Sequence, residues 1–187
     1  MTLARLCASL SAVAVCATVA SCGTSGGAAG NSGSSRAGLQ RYLAQVEPIR
    51  LGVNRLLEGA DPILSALREG RISRVRARRG MEQLERRFAD FTVDIAAVDQ
   101  PTGMLGSLQA EYAHTYVLED AYLSALASGL ATGNLKGLPN TQAEQRAAII
   151  RWRTGLAVLA RKVHLALPAD LQQAGRGEIA PSAQGES

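Results

Sequence analysis

An all-α fold, and within it an up-down-up-down four-helix bundle, is what the 187 residues predict. Apolar positions recur in steps of three and four from Leu39 to about Leu167, the spacing that gathers side chains on one helix face. They fall into four segments joined by short connections, and short connections make helical neighbours antiparallel. No alternating apolar–polar run with matching turns appears, so a sheet is not expected. The length permits one ordinary domain with a real core.

The first segment carries Leu39, Tyr42, Val46, Ile49, Val53, Leu56, Ala60, Ile63 and Leu67. Pro48 and Pro62 interrupt it, and Asp61-Pro62 could be an N-cap with proline at the first helical position. The apolar register runs through both prolines unbroken, so one kinked helix is expected in place of two, ending at Gly70. Met81, Leu84, Phe88, Phe91, Ile95 and Val98 form the second stripe, after Ser73 as a cap and before Pro101. Leu105, Leu108, Tyr112, Tyr116, Leu123, Leu126 and Leu130 form the third, ending at Gly133. Thr141 and Glu144 have capping-box spacing and open the fourth, whose inner face is Ile149, Trp152, Leu156, Leu159 and Val163. Each segment runs about 25–31 residues, roughly 40–45 Å at 1.5 Å per residue. Pro168 to Ala174 allow one or two further turns, and Arg176 to Ser187 read as a frayed tail.

Ahead of the bundle, Arg5 and the amino terminus precede an apolar stretch from Leu6 to about Val19 that holds no carboxylate. It is too short for a finished transmembrane helix and the right size for a signal-peptide core. It ends in Val19-Ala20-Ser21-Cys22, which resembles the lipobox of bacterial lipoprotein precursors. That resemblance covers about the first twenty-two residues. It implies that the Cys22 thiol receives a diacylglycerol and that cleavage leaves Cys22 as the new N-terminus. Cys16 competes, but the bulky Val15 precedes it. On this reading residues 1–21 are the signal, 22–37 a lipidated tether, 38–175 the bundle and 176–187 the tail. Cys7 and Cys16 leave with the signal and Cys22 carries lipid, so no thiol remains for a disulfide, catalysis or a metal site. Gly23 to Ser35 holds no apolar side chain larger than alanine, and a coil of that length reaches roughly 20 Å on average. The expected location is extracytoplasmic, on the bacterial cell membrane.

The net charge of +4 does not indicate nucleic acid as a partner. No Walker loop, Gly-x-Ser-x-Gly elbow or His-Glu-x-x-His motif is present, so hydrolytic and phosphoryl-transfer machinery have no visible starting point. Gly175-Arg176-Gly177-Glu178-Ile179-Ala180 has the dinucleotide spacing without the preceding strand that the fingerprint needs. Glu111 and His114 have the helical spacing of ferritin-like metal ligands, but the second such pair is absent. No cofactor and no metal are expected.

Glu119 breaks the pattern: at 100° per residue it falls in the middle of the third stripe. A buried carboxylate is costly unless it is paired, solvated or protonated. Antiparallel levels set residue 119 opposite residue 154, which makes Arg153 the candidate ion-pair partner. The alternative is a small-ligand or ion site in the bundle using Glu119, His114 and Tyr112.

Arg68 to Arg87 hold eight arginines against Glu69, Glu82 and Glu85. A solvated helix face with local pairs such as Arg78–Glu82 is the default. The functional alternative is an end that meets an envelope protein or an anionic envelope polymer, about 45 Å from the membrane if the bundle stands upright. The leading expectation is a non-enzymatic, lipid-anchored helical bundle with a structural or protein-interaction role.

Overall fold

The structure, a computed structural model, describes residues 35–172 and residue 179. The expected signal peptide, Cys22 and nearly all of the expected tether and tail lie outside the described residues. The rest is all-helical: α1 (Arg36–Leu57), α2 (Ala60–Arg68), α3 (Arg74–Ala96), α4 (Gly103–Thr132), α5 (Gln142–Lys162) and the short α6 (Ala169–Gln172). No strand occurs among the described residues. None of these helices is long and apolar enough to cross a membrane.

The expected single kinked helix is two helices. Pro48 sits inside α1 without ending it, whereas the chain breaks at Glu58 and Gly59 before α2. Pro62 explains the position. Its ring opposes the carbonyl four residues earlier, which belongs to Glu58, and it offers no N–H for that bond. Gly59, a poor helix former, adds to the break. Gly59, not Asp61, is the N-cap of α2, which moves Pro62 to the third helical position. The apolar stripe nevertheless survives: Phe91 packs onto Gly52 of α1 and Ile63 of α2 packs onto Gly80. Both helices therefore follow α3 at one level series.

The sequence stops and starts are mostly realised. Ser73 accepts a hydrogen bond from the Arg76 N–H, and Ser35 does the same for Gly38 at the head of α1. Gly133 ends α4 at φ 77°, a conformation open to glycine at little cost. The capping box at α5 is not formed. Thr141 makes no side-chain cap bond, and its hydroxyl donates instead to Gln145 Oε1 at 3.4 Å. His164 ends α5 in the left-handed region, with the Leu165 N–H on the Ala160 carbonyl, and the chain turns toward α6.

The four apolar stripes converge on one core. Leu39, Val46, Met81, Phe88, Ile95, Leu105, Leu123, Leu126, Trp152 and Leu156 are essentially buried. Phe88 and Tyr116 bring α3 onto α4, and Tyr112 stacks on Trp152 of α5 at 4.0 Å and 10°. Gly155 permits that closeness, since a Cβ there would lie 2.5 Å from Leu108.

Candidate functional site

Two buried polar networks run through this core. The first centres on the Tyr42 hydroxyl. It accepts from Trp152 Nε1 at 2.8 Å and donates to Gln109 Oε1 at 2.7 Å. Gln109 passes the chain on, donating from Nε2 to the Ile95 carbonyl at 3.0 Å. One phenol thus ties α1, α3, α4 and α5 together. Burial pushes the Tyr42 phenol well above its ordinary value, opposed by the Trp152 hydrogen bond and assisted by Glu47, so it stays neutral.

The second network holds Glu119, which is 1% exposed, as its place in the apolar stripe implied. Its carboxylate accepts from Gln145 Nε2 at 2.8 Å, and the same amide reaches the Thr115 carbonyl at 3.2 Å. The Thr115 hydroxyl donates to the Tyr112 carbonyl at 2.7 Å. A cavity of about 10 Å³ lies here, enclosed by Val53, Phe88 and Ile149 and by the polar Tyr112, Thr115, Tyr116 and Glu119. That volume is the space of about one water molecule. Sites for small organic ligands usually occupy a few hundred Å³.

The level assigned to residue 154 is corrected. Leu108 with Gly155, Glu111 with Arg151, Tyr112 with Trp152 and Glu119 with Gln145 set the register of α4 against α5. Gln145 therefore stands opposite Glu119, about two and a half turns from the expected level. Arg153 lies near the level of Glu111 and donates from Nη1 to the Asp170 carbonyl at 3.4 Å. The cause is the connection after α4. The Asn134 backbone and the Leu135 side chain fold back against Gly129, so α5 begins well below the end of α4.

Tyr112 and Glu119 share the cavity, but His114 is exposed and does not join them. Glu111 is exposed too and pairs with Arg151 at 2.9 Å. Among the described residues no group of three or more His, Cys, Asp or Glu side chains could hold a metal ion.

The sequence reading missed Arg50. This α1 arginine is 1% exposed, and it donates to Glu47 through Nε at 3.2 Å and Nη2 at 2.8 Å, and to Asp170 of α6. Burial alone lowers its pKa, but the bonds from the two carboxylates outweigh that and raise it above the ordinary guanidinium value. The Arg50 hydrogen bond in turn holds the Asp170 carboxyl below its ordinary range. With Leu171 buried behind it, this pair clips the start of the C-terminal segment onto α1. The signal was present: at 100° per residue Arg50 falls between the buried Leu39 and Leu43, and Gln145 falls beside Trp152 on α5.

No family model, curated protein or solved structure matches this chain.

Proposed function

We propose that this chain is a lipid-anchored, extracytoplasmic helical-bundle protein with a structural or protein-interaction role and no catalytic centre. Its body is an up-down-up-down bundle in which α1 and α2 together form the first rod. The register of α4 against α5 and the level series of α1 and α2 along α3 support that topology. The anchor rests on Val19-Ala20-Ser21-Cys22 and on the Gly/Ser-rich spacer behind it.

One observation carries the functional reading: the buried polar residues find hydrogen-bond partners inside the fold, on side chains or on backbone carbonyls. Arg50, Gln109, Thr115, Glu119, Gln145 and Arg153 each have a partner within the fold. The cavity they leave admits about one water. Such an interior specifies a bundle and leaves function to the outside. The cavity beside Glu119 favours a second reading, in which one water-sized ion is held by Glu119 and Tyr112. Thermal melts across monovalent salts at fixed ionic strength would separate the two. A stabilisation specific to one cation that vanishes in Glu119→Gln supports the ion site, and equal melts support the closed interior.

The anchor is tested by metabolic labelling with a fatty acid. The native chain should incorporate label and fractionate with membranes, and Cys22→Ala should do neither. Label retained on the mutant would overturn the assignment.

A further inference from the structure

The outer face of α3 is built like half of an interface. The core takes Ala77, Met81, Leu84, Phe88 and Ile95 from this helix. On the opposite side, Val75, Arg79, Glu82, Arg86, Ala89 and Val93 follow in steps of four, three, four, three and four, within an arc of about 80° at 100° per residue. That is the step pattern of a two-helix seam. Its two apolar ends are open, with Val93 69% exposed and Val75 53%, and between them Glu82 and Ala89 are half-buried, Glu82 lying 3.5 Å from Arg78 of its own helix.

The seam reads the same from both ends when a second copy is laid against it antiparallel, with the two-fold axis at the level of Leu84. Val75 then faces Val93 of the other copy and Glu82 faces Arg86, while Arg79 stands at the level of Ala89 with Asp90 beside it. Each match occurs twice by symmetry. Arg76 and Asp94 meet along the rim. A parallel pairing would set Arg79, Glu82 and Arg86 each against its own like charge, so the charges specify the antiparallel arrangement.

A second observation points the same way. The basic residues Arg74, Arg76, Arg78 and Arg79 lie at the N-terminal end of α3, and Asp90 and Asp94 lie toward its C-terminal end. No acid stands in the first turn and no base in the last. That is the reverse of what the helix macrodipole favours within one helix. It is the distribution that two antiparallel copies neutralise, each positive end lying beside the other's negative end.

We propose that the outer face of α3 is a homodimerisation surface, pairing antiparallel with the same face of a second copy through Val75–Val93 and Glu82–Arg86 contacts. A contact one helix long falls at the low end of specific interfaces, below about 1,200 Å² in total. The dimer is therefore weak and reversible in solution, and is strengthened where chains are concentrated by a shared anchor. The two Ser35 ends leave from opposite ends of the pair, so a dimer anchored to one membrane lies along its surface. Only this last consequence rests on the anchor proposed above.

Sedimentation equilibrium of the full chain in a density-matched non-ionic detergent tests the pairing whether or not Cys22 is lipidated. Self-association should rise with concentration up to the millimolar range. Glu82→Arg and Arg86→Glu should each weaken it about tenfold or more, because each change acts twice across the two-fold. The double swap Glu82→Arg/Arg86→Glu should restore it, and Val93→Asp should abolish it with circular dichroism unchanged. Mild oxidation of Val75→Cys/Val93→Cys should give a covalent dimer. Within one chain those positions are about 27 Å apart, too far to bridge. A monomer at every concentration, association indifferent to Val93→Asp, or a double swap that fails to restore it would each overturn the proposal.

Discussion

Replacing Tyr42 by phenylalanine removes one oxygen and leaves the ring, so it measures the buried hub with little change in packing. The Tyr42 hydroxyl joins Trp152 Nε1 at 2.8 Å and Gln109 Oε1 at 2.7 Å, and all three residues are at most 4% exposed. In Tyr42→Phe the indole N–H loses its acceptor, and Gln109 loses the donor to its carbonyl oxygen. A buried polar group left without a partner costs about 1–3 kcal/mol, so the two together should cost about 2–4 kcal/mol. In a domain of this size that lowers Tm by about 10 °C. Urea unfolding followed by circular dichroism should show a lower midpoint with an unchanged slope. Adding Gln109→Leu should cost less than the sum of the single changes, by about 1 kcal/mol or more. A loss below about 0.5 kcal/mol, the scale of an ordinary surface change, would refute the idea that this hub ties the helices together. The raised phenol pKa has its own signature. Its contribution is present below the unfolded tyrosine value of about 10 and is lost as pH rises beyond it.

Phe88→Ala should cost about 3–5 kcal/mol by denaturant titration, because Phe88 is 1% exposed against Tyr116. Gly155→Ala should destabilise by about 1–3 kcal/mol, since the new methyl would meet Leu108 at 2.5 Å. Asp120 has its pKa raised by burial and then by Glu85, so its ionised form is disfavoured in the fold. Asp120→Asn should therefore raise Tm at pH 7, and the gain should fade as pH falls and Asp120 itself becomes protonated. Replacing both carboxylates, as Glu47→Gln/Asp170→Asn, takes two charged partners from the buried Arg50 guanidinium and should cost at least about 1.5–3 kcal/mol in thermal or chemical unfolding. In the native chain the Asp170 carboxyl is held low, so its hold on α1 is present above the unfolded value of about 3.9 and lost below it. Hydrogen exchange at Leu171 should quicken in acid.

The helical class, the buried stripes and the stops at Gly70 and Gly133 were legible in the sequence because period and punctuation are local properties. The break at Glu58–Gly59 was hidden because the apolar period ran through it: the stripe reports which face is buried and not whether the backbone ladder is continuous. The burial of Glu119 was readable from its angle. Its register against α5 was not, because levels counted from helix ends assume a direct turn, and residues 134–141 instead fold back along α4. Arg50, Gln109 and Gln145 were passed over as polar residues near apolar stripes, although Gln145 falls inside one and Arg50 at the edge of another. Tyr42 and Trp152 were counted as apolar area, and their polar atoms turn out to organise the core.

The proposed anchor at Cys22 would set where the bundle works and how its outer faces are presented. Mass spectrometry of the N-terminal peptide from protein purified out of membranes measures this most directly. The expected result is a chain that begins at Cys22 with a diacylglycerol on its thiol. An unmodified Cys22 thiol within a chain that begins elsewhere would contradict it.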